Sequence, residues 1–404
     1  MGRYEQANRL RGVRYDVRGQ NLVEAQRMEA RGERILKLNV GNLAPFGFAT
    51  PETVVQSVIA HLPESEGYSD SRGIYSARTA VAQHYQSAGL DVEVNQVLLG
   101  NGVSELIQLV LQAMLNIGDE ILIPAPDYPL WTAQVTLSGG VAVHYLCDEE
   151  NDWNPDVDDI ESKINDRTRA IVLINPNNPT GAVYSEEIVR GIAGLCRKYG
   201  LILLSDEIYE KIIYSGKHVY AANEAGNDVL CLTFSGLSKA YRACGYRAGW
   251  MVATGPLDEA SDFWEGLMLL SNMRMCANVP AQHAIQTCLG GYQSINDLTA
   301  VGGRFHDQLE LAHNLLNEIP GISTRPAKGA LYLFPKLDPE MYPIADDEAW
   351  ALELLHRKKI LVSHGTGFNW PYPDHFRLVA LPETKVLTEG IGRIAEFCEE
   401  IRRK

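Results

Sequence analysis

The sequence predicts an α/β protein, with a large domain on a mostly parallel, doubly wound sheet and a smaller α+β domain beside it. Three observations carry this expectation. Between about residues 95 and 255, short apolar runs alternate with segments of helical period. Several of those runs lack polar alternation, as strands covered on both faces require. After about residue 300, longer helical patterns are separated by single strands. The chain has 404 residues, 46% of them hydrophobic, which is enough to bury two cores.

Taken in order, the N-terminal M-G-R-Y-E-Q lacks the apolar core of a leader, and Gln6 stands where a myristoylation signal wants Ser or Thr. Residues 1–45 are expected to form an N-terminal arm and part of the small domain. Residues 46–295 would be the large domain and 296–404 the small one. The expected strands are Val97–Leu99, Ile121–Ile123, Val141–Leu146, Ile171–Ile174, Leu201–Leu204, Leu230–Phe234 and Trp250–Ala253. Between two of them Glu186–Tyr199 carries Ile188, Ile192, Leu195, Cys196 and Tyr199 at helical spacing, a β-α-β unit whose repetition implies the doubly wound sheet. Further on come a helix at Phe305–Ile319 ended by Pro320-Gly321, a strand at Ala330–Phe334 and a helix at Asp347–Lys358. A last strand at Phe376–Val379 precedes a terminal helix.

The net charge of −15 and the absence of any Lys/Arg stripe argue against a nucleic-acid partner. No apolar run approaches the length of a membrane span. Seven cysteines are scattered without a C-x-x-C, which fits reduced, mostly buried thiols in a cytoplasmic protein. No metal is expected.

Ligands of such sheets bind at the carboxyl ends of the strands, and five ends carry unusual residues. After the first run, G-N-G-V-S-E (100–105) opens a helix; this is either a plain capped start or a phosphate site made of free N–H groups and a Ser. A dinucleotide fingerprint would need Gly where Glu105 stands. Tyr128, in P-A-P-D-Y-P, is a packing residue or a ring that stacks on a flat ligand. N-P-N-N-P-T-G (175–181) reads as a turn-rich loop of unusual specificity. S-D-E-I-Y-E (205–210) ends a strand on Asp206, with Tyr209 three residues on; a carboxylate buried there needs a cation or becomes neutral. S-G-L-S-K (235–239) places Lys239 in a Gly/Ser loop at the neighbouring end, eight residues before Arg247. A lysine so placed is a candidate nucleophile.

These motifs, in this order and with the following G-Y-R-A-G-W and the late R-L-V, resemble fold-type I pyridoxal-phosphate-dependent aminotransferases of class I/II over nearly the whole chain. Y-D-V-R-G, L-N-V-G-N-L-A-P-F-G-F, A-N-V-P-A-Q-H-A-I-Q-T and F-N-W-P-Y-P-D-H-F-R most resemble the bacterial glutamate–pyruvate (alanine) aminotransferases. The resemblance implies a fold-type I transferase that binds pyridoxal 5′-phosphate and acts as a homodimer on amino acids and 2-oxo acids.

It also implies roles. Lys239 would carry the cofactor as a Schiff base and shuttle a proton. Asp206 would pair with the ring nitrogen, Tyr209 and Asn178 with the ring's phenolic oxygen, and Tyr128 would stack on the ring. Val103, Ser104, Ser238 and Arg247 would hold the phosphate, with Tyr68 reaching it from the partner subunit. Arg377, helped by Asn178 and the backbone at Gly41, would clamp the substrate's α-carboxylate. Arg18, with Tyr15, is the candidate for glutamate's second carboxylate.

Many relatives have Ser where Gly236 stands, so either Ser235 substitutes or one phosphate contact is lost. The implied reaction is ping-pong transfer between alanine and 2-oxoglutarate. A broad-specificity aminotransferase or a C–S lyase of the same fold would carry the same cofactor motifs.

Overall fold

The structure, a computed structural model, describes residues 4–13, 15 and 19–402. Its centre is an eight-stranded sheet of β1 (Val97–Gly100), β2 (Glu120–Ala125), β3 (Val141–Asp148), β4 (Asn154–Pro155), β5 (Thr168–Ile174), β6 (Ile202–Asp206), β7 (Cys231–Gly236) and β8 (Gly249–Thr254). The spatial order is β1-β8-β7-β6-β5-β2-β3-β4. β7, β6, β5, β2 and β3 are mutually parallel neighbours, whereas β8 runs antiparallel between β1 and β7, and β4 antiparallel to β3. The expected mostly parallel, doubly wound sheet is therefore present. Each apolar run proposed from sequence lies in or overlaps one of its strands, and the two-residue β4 is an addition.

Bare apolar runs work here because both faces are covered. Successive strand residues point to opposite faces. Ile121, Ile123, Val172 and Leu204 enter one core with Leu106, Ile107 and Val110 of helix Val103–Met114. Their neighbours Leu122, Ile171, Leu173 and Leu203 enter another with Val189, Ile192 and Cys196 of helix Glu186–Tyr199. That helix is bounded by its own residues. The Ser185 hydroxyl accepts from the Ile188 amide, Glu186 and Glu187 sit in the first turn, Arg197 and Lys198 in the last, and Gly200 stops it at φ +65°. Tyr199 leaves the predicted apolar face and is exposed, its hydroxyl donating to Glu161.

A third core joins helices Arg304–Asn317, Asp347–Lys358 and Thr384–Arg402 to strand Phe376–Val379. The N-terminal segment packs here, with Leu36–Lys37 pairing in parallel with Ile360–Leu361 and Leu38 in the same core. Among the described residues no helix is long and apolar enough to cross a membrane.

The carboxyl ends of β2, β5, β6 and β7 share one edge of the sheet, so the loops that follow them converge. Segments from the third core, at Gly41, Tyr332 and Arg377, close the space above.

Candidate active site

Between these loops lies a cavity of about 550 Å3. At its floor Asp206, the last residue of β6, is buried. Trp131 Nε1 donates to its Oδ2 at 3.1 Å and the Ile208 amide to Oδ1 at 3.4 Å. Burial pushes its carboxyl up to about 6 against those two donors, so the site favours a cation opposite it. Lys239 stands on the loop after β7 and its Nζ donates to the Gly41 carbonyl at 3.0 Å. The Tyr209 hydroxyl, in the turn after β6, lies 2.5 Å from that of Tyr332. Burial raises the phenols of Tyr209 and Tyr128 well above their ordinary value, so both remain neutral hydroxyls. The Tyr128 hydroxyl is 2.8 Å from that of Tyr15, which covers the cavity from the N-terminal segment.

One end is shaped for a phosphate. Helix Val103–Met114 begins after Gly102, whose lack of a side chain leaves the first-turn N–H groups uncapped toward the cavity. A Cβ on Gly102 would strike the Arg247 guanidinium, so glycine is what lets that side chain lie across the helix start. Arg247 Nη1 donates to the Cys244 carbonyl at 2.9 Å and lies 3.5 Å from Ser238 Oγ, while Nη2 donates to the Asn101 carbonyl at 3.2 Å. Ser104 and Ser238 also line this end.

The opposite end is shaped for a carboxylate. Arg377 is 2% exposed, with its Cζ 4.5 Å from the ring centroids of both Tyr332 and Phe368. Nη1 donates to Asn178 Oδ1 at 2.8 Å, Nη2 donates to the Asn39 carbonyl, and Nε has no partner. No ion pair among the described residues includes it. A buried guanidinium without an anion is a standing demand for one.

Lys239, Asp206, Tyr209, Val103, Ser104, Tyr128, Asn178, Ser238, Arg247, Tyr15, Gly41 and Arg377 thus line one cavity. Tyr68 does not; it is 80% exposed on the outside of the subunit. Arg18 lies outside the described residues. Ser235 is turned away, its hydroxyl donating to Glu210 at 3.2 Å, so it does not stand in for the serine that many relatives have at the next position. Gly236 has no room for that serine, since a Cβ there would come within 2.9 Å of the Ala248 carbonyl oxygen and the Gly249 Cα. Gly41 offers its carbonyl to Lys239, and the Asn39 carbonyl accepts from Arg377. Tyr332 is a lining residue that sequence reasoning missed. In A-L-Y-L-F it reads as one more core aromatic on a strand, and nothing local marks it.

The reversed β8 and the lysine-bearing loop at the sheet's carboxyl edge define a fold-type I pyridoxal-phosphate enzyme. The model of the family "Aminotransferase class I and II" matches residues 33–394. The chain is 56% identical over 403 residues to alanine aminotransferase of Mycobacterium tuberculosis, covering 99% of this chain and 94% of that protein. It is 53% identical over 398 residues to the glutamate-pyruvate aminotransferase AlaA of Escherichia coli, covering 98% of each. A crystal structure of an Escherichia coli aminotransferase superposes with a TM-score of 0.97 at 53% identity, over 98% of this chain and 99% of that one. The chain belongs to the class I and II aminotransferases, which use pyridoxal 5′-phosphate, and it is a transaminase.

The cavity fits that cofactor on its own evidence: a buried carboxylate in no ion pair among the described residues at the floor, a lysine in the same cavity, and an uncapped helix start with an arginine and two serines at one end.

Proposed function

We propose that the enzyme moves the amino group between L-alanine and 2-oxoglutarate, giving pyruvate and L-glutamate by a ping-pong route. The observation that carries the chemistry is one cavity with Lys239 and Asp206 at its centre and a buried, anion-free Arg377 at its end. The choice of substrates is supported by the likeness to alanine and glutamate-pyruvate aminotransferases over nearly the whole length.

Pyridoxal phosphate, when bound, supplies a carbonyl that exchanges amines and a ring that accepts the electrons of a broken Cα–H bond. Asp206 holds the proton on the ring nitrogen, because a carboxylate in this dry pocket is stable only opposite a cation. The Lys239 amine takes the proton from the substrate Cα and returns it on the other side of the transfer. Asn178 would serve two ends: its Oδ1 accepts from Arg377, and its amide nitrogen would donate to the cofactor together with the Tyr209 hydroxyl. Val103, Ser104, Ser238 and Arg247 hold the phosphate, and Tyr128 packs on the ring. Arg377 binds the α-carboxylate common to all four substrates, and Tyr15, with Arg18 on the same segment, serves the substrate's distal end.

Two copies complete the site. Ser71 Oγ donates to Asn272 at 2.6 Å, which lays the Tyr68 segment on helix Ser261–Met273. Leu269 and Met273 of that helix are 61% and 72% exposed, an apolar face of the kind that a second subunit covers. In a homodimer this face brings Tyr68 to the partner's phosphate end. Mixing Tyr68→Phe with Lys239→Ala subunits then restores part of the activity, and a fully active monomer in sedimentation contradicts the dimer. Seven free cysteines, five of them buried, fit a cytoplasmic enzyme.

The visible spectrum of the holoenzyme tests the function directly. Alanine should convert the aldehyde form of the cofactor to its amine form with release of pyruvate, and 2-oxoglutarate should reverse the change. Release of ammonia or thiol without that interconversion would assign a lyase instead.

A further inference from the structure

Asp127, in the Pro-Asp-Tyr-Pro turn after β2, is fully buried yet does not line the cavity. Its Oδ1 accepts from Asn369 Nδ2 at 2.7 Å and its Oδ2 from Thr132 Oγ1 at 2.8 Å. Asn369 Nδ2 also reaches Thr132 Oγ1 at 3.2 Å, and the Asp127 amide donates to the Phe368 carbonyl at 2.9 Å. His144 Nε2 lies 2.9 Å from Thr132 Oγ1 and 4.0 Å from Asp127 Oδ2, and the Tyr145 phenol and Cys147 thiol feel the same carboxylate. Burial pushes the Asp127 carboxyl up to about 7 and the His144 imidazole down to about 4. A carboxylate held under such desolvation is a poor stabiliser compared with an apolar side chain of similar size. What it does well is hold geometry.

The geometry it holds joins both halves of the site. On one side its neighbour Tyr128 forms part of the cavity wall. On the other, Asn369 ends the short 3-10 turn Thr366–Phe368, and the Phe368 ring lies 4.5 Å from Arg377 Cζ. Two hydrogen bonds from the turn after β2, with a third from Thr132 on the helix Leu130–Leu137 that follows, therefore seat one of the two aromatic faces that sandwich the guanidinium.

We propose that Asp127 is a positioning residue for substrate binding: through Asn369 and Phe368 it sets the face of Arg377, and through its own backbone it sets Tyr128. The span between the cofactor wall and the carboxylate clamp is thereby fixed from a single buried carboxylate. This rests on the reading of the cavity as an aminotransferase site.

Because the effect runs through ground-state binding of a carboxylate, it belongs in KM and not in kcat. In the holoenzyme, Asn369→Asp sets two carboxylates against each other and should raise KM for alanine and for 2-oxoglutarate roughly ten- to hundred-fold. Maximal turnover and cofactor retention should stay within a factor of about three, since Asn369 and Phe368 do not line the cavity and Tyr128 is held through the backbone of its own turn. Adding Asp127→Asn restores a donor–acceptor pair of reversed sense and should return most of the lost KM. Unchanged KM in Asn369→Asp, a loss that Asp127→Asn does not restore, or an equal fall in cofactor retention each overturns the proposal. If Asn369→Asp is not recovered soluble, Asn369→Ala decides: a raised KM supports the proposal and an unchanged one ends it. A wild-type enzyme that shows no alanine-dependent change in the cofactor spectrum fails the functional reading, and the inference falls with it. An active wild type with indifferent variants removes Asp127 alone.

Discussion

Arg247 and Arg377 stand at the two ends of one cavity and are held in opposite ways. Arg247 is exposed, sits at φ +53° in a turn close to Lys239, and bonds to carbonyls of its own and a neighbouring strand-end loop. Arg377 is buried between two aromatic rings, those of Tyr332 and Phe368, and its hydrogen-bond partners Asn39 and Asn178 are far away in the chain. The exposed guanidinium keeps its water and gives little up while no anion is present. The buried one has already lost its water, and burial lowers its pKa accordingly. The phosphate end is thus a tolerant, multi-contact grip shared with backbone N–H groups. The carboxylate end, in the function proposed above, is a single pre-desolvated clamp.

The largest expected effect lies between the two ends and leaves both intact. Lys239→Ala should lower turnover by about 10^4-fold, the upper range of a lost acid–base group. Borohydride reduction and peptide mapping of the wild type should find the pyridoxyl label on Lys239, and a label on another lysine would end this account. Next comes the comparison itself. Arg377→Ala should cut kcat/KM for both substrate pairs roughly 30- to 1000-fold, as removal of a buried charged partner does. Arg247→Ala should weaken cofactor retention only about tenfold, because the charge is exposed and its task is shared. The reverse ranking would break the distinction between the two grips.

A smaller effect appears as stability. The folded carboxyl of Asp206 is raised to about 6 from its ordinary value of 3.8. The folded protein therefore favours the protonated acid, and this contribution is present at low pH and lost as pH rises through that window. In cofactor-free protein Asp206→Asn should gain on the parent by up to about 3 kcal/mol between pH 4 and pH 8, read from denaturant unfolding at each pH. A flat difference would mean that water or a counter-ion reaches the carboxylate. The smallest effect tests Tyr332. Tyr332→Phe keeps the ring under Arg377 but removes the hydroxyl from Tyr209, and should cost roughly two- to tenfold in kcat/KM. A loss as large as that of Arg377→Ala would show that the hydroxyl, and not the ring, is what Tyr332 contributes.

What was legible from the residues follows the same division as the two arginines. The strands were readable because burial on both faces leaves no polar alternation, and Glu186–Tyr199 because its caps lie in its own sequence. That Lys239, Asp206, Tyr209, Ser104 and Arg247 meet in one cavity was readable because their motifs flank the ends of strands of one sheet. Tyr332 was not, since an aromatic on a short strand looks the same in a core and in a cavity wall. Asp127 and Asn369 were not either, since each reads as an ordinary turn residue until the two turns meet.

The sequence by itself determined the α/β class, the sheet, the motifs that come to line the cavity and the family, because each of these depends on contacts within a turn or on a repeating pattern along one element. Only the tertiary structure decided which side chains complete the carboxylate end, why Ser235 faces Glu210, and how Asp127 ties Tyr128 to the Phe368 beneath Arg377. The Arg377–Asn178, Arg377–Asn39 and Asp127–Asn369 contacts join residues 199, 338 and 242 positions apart, and buried polar groups so distant find their partners only once the cores have packed and excluded water.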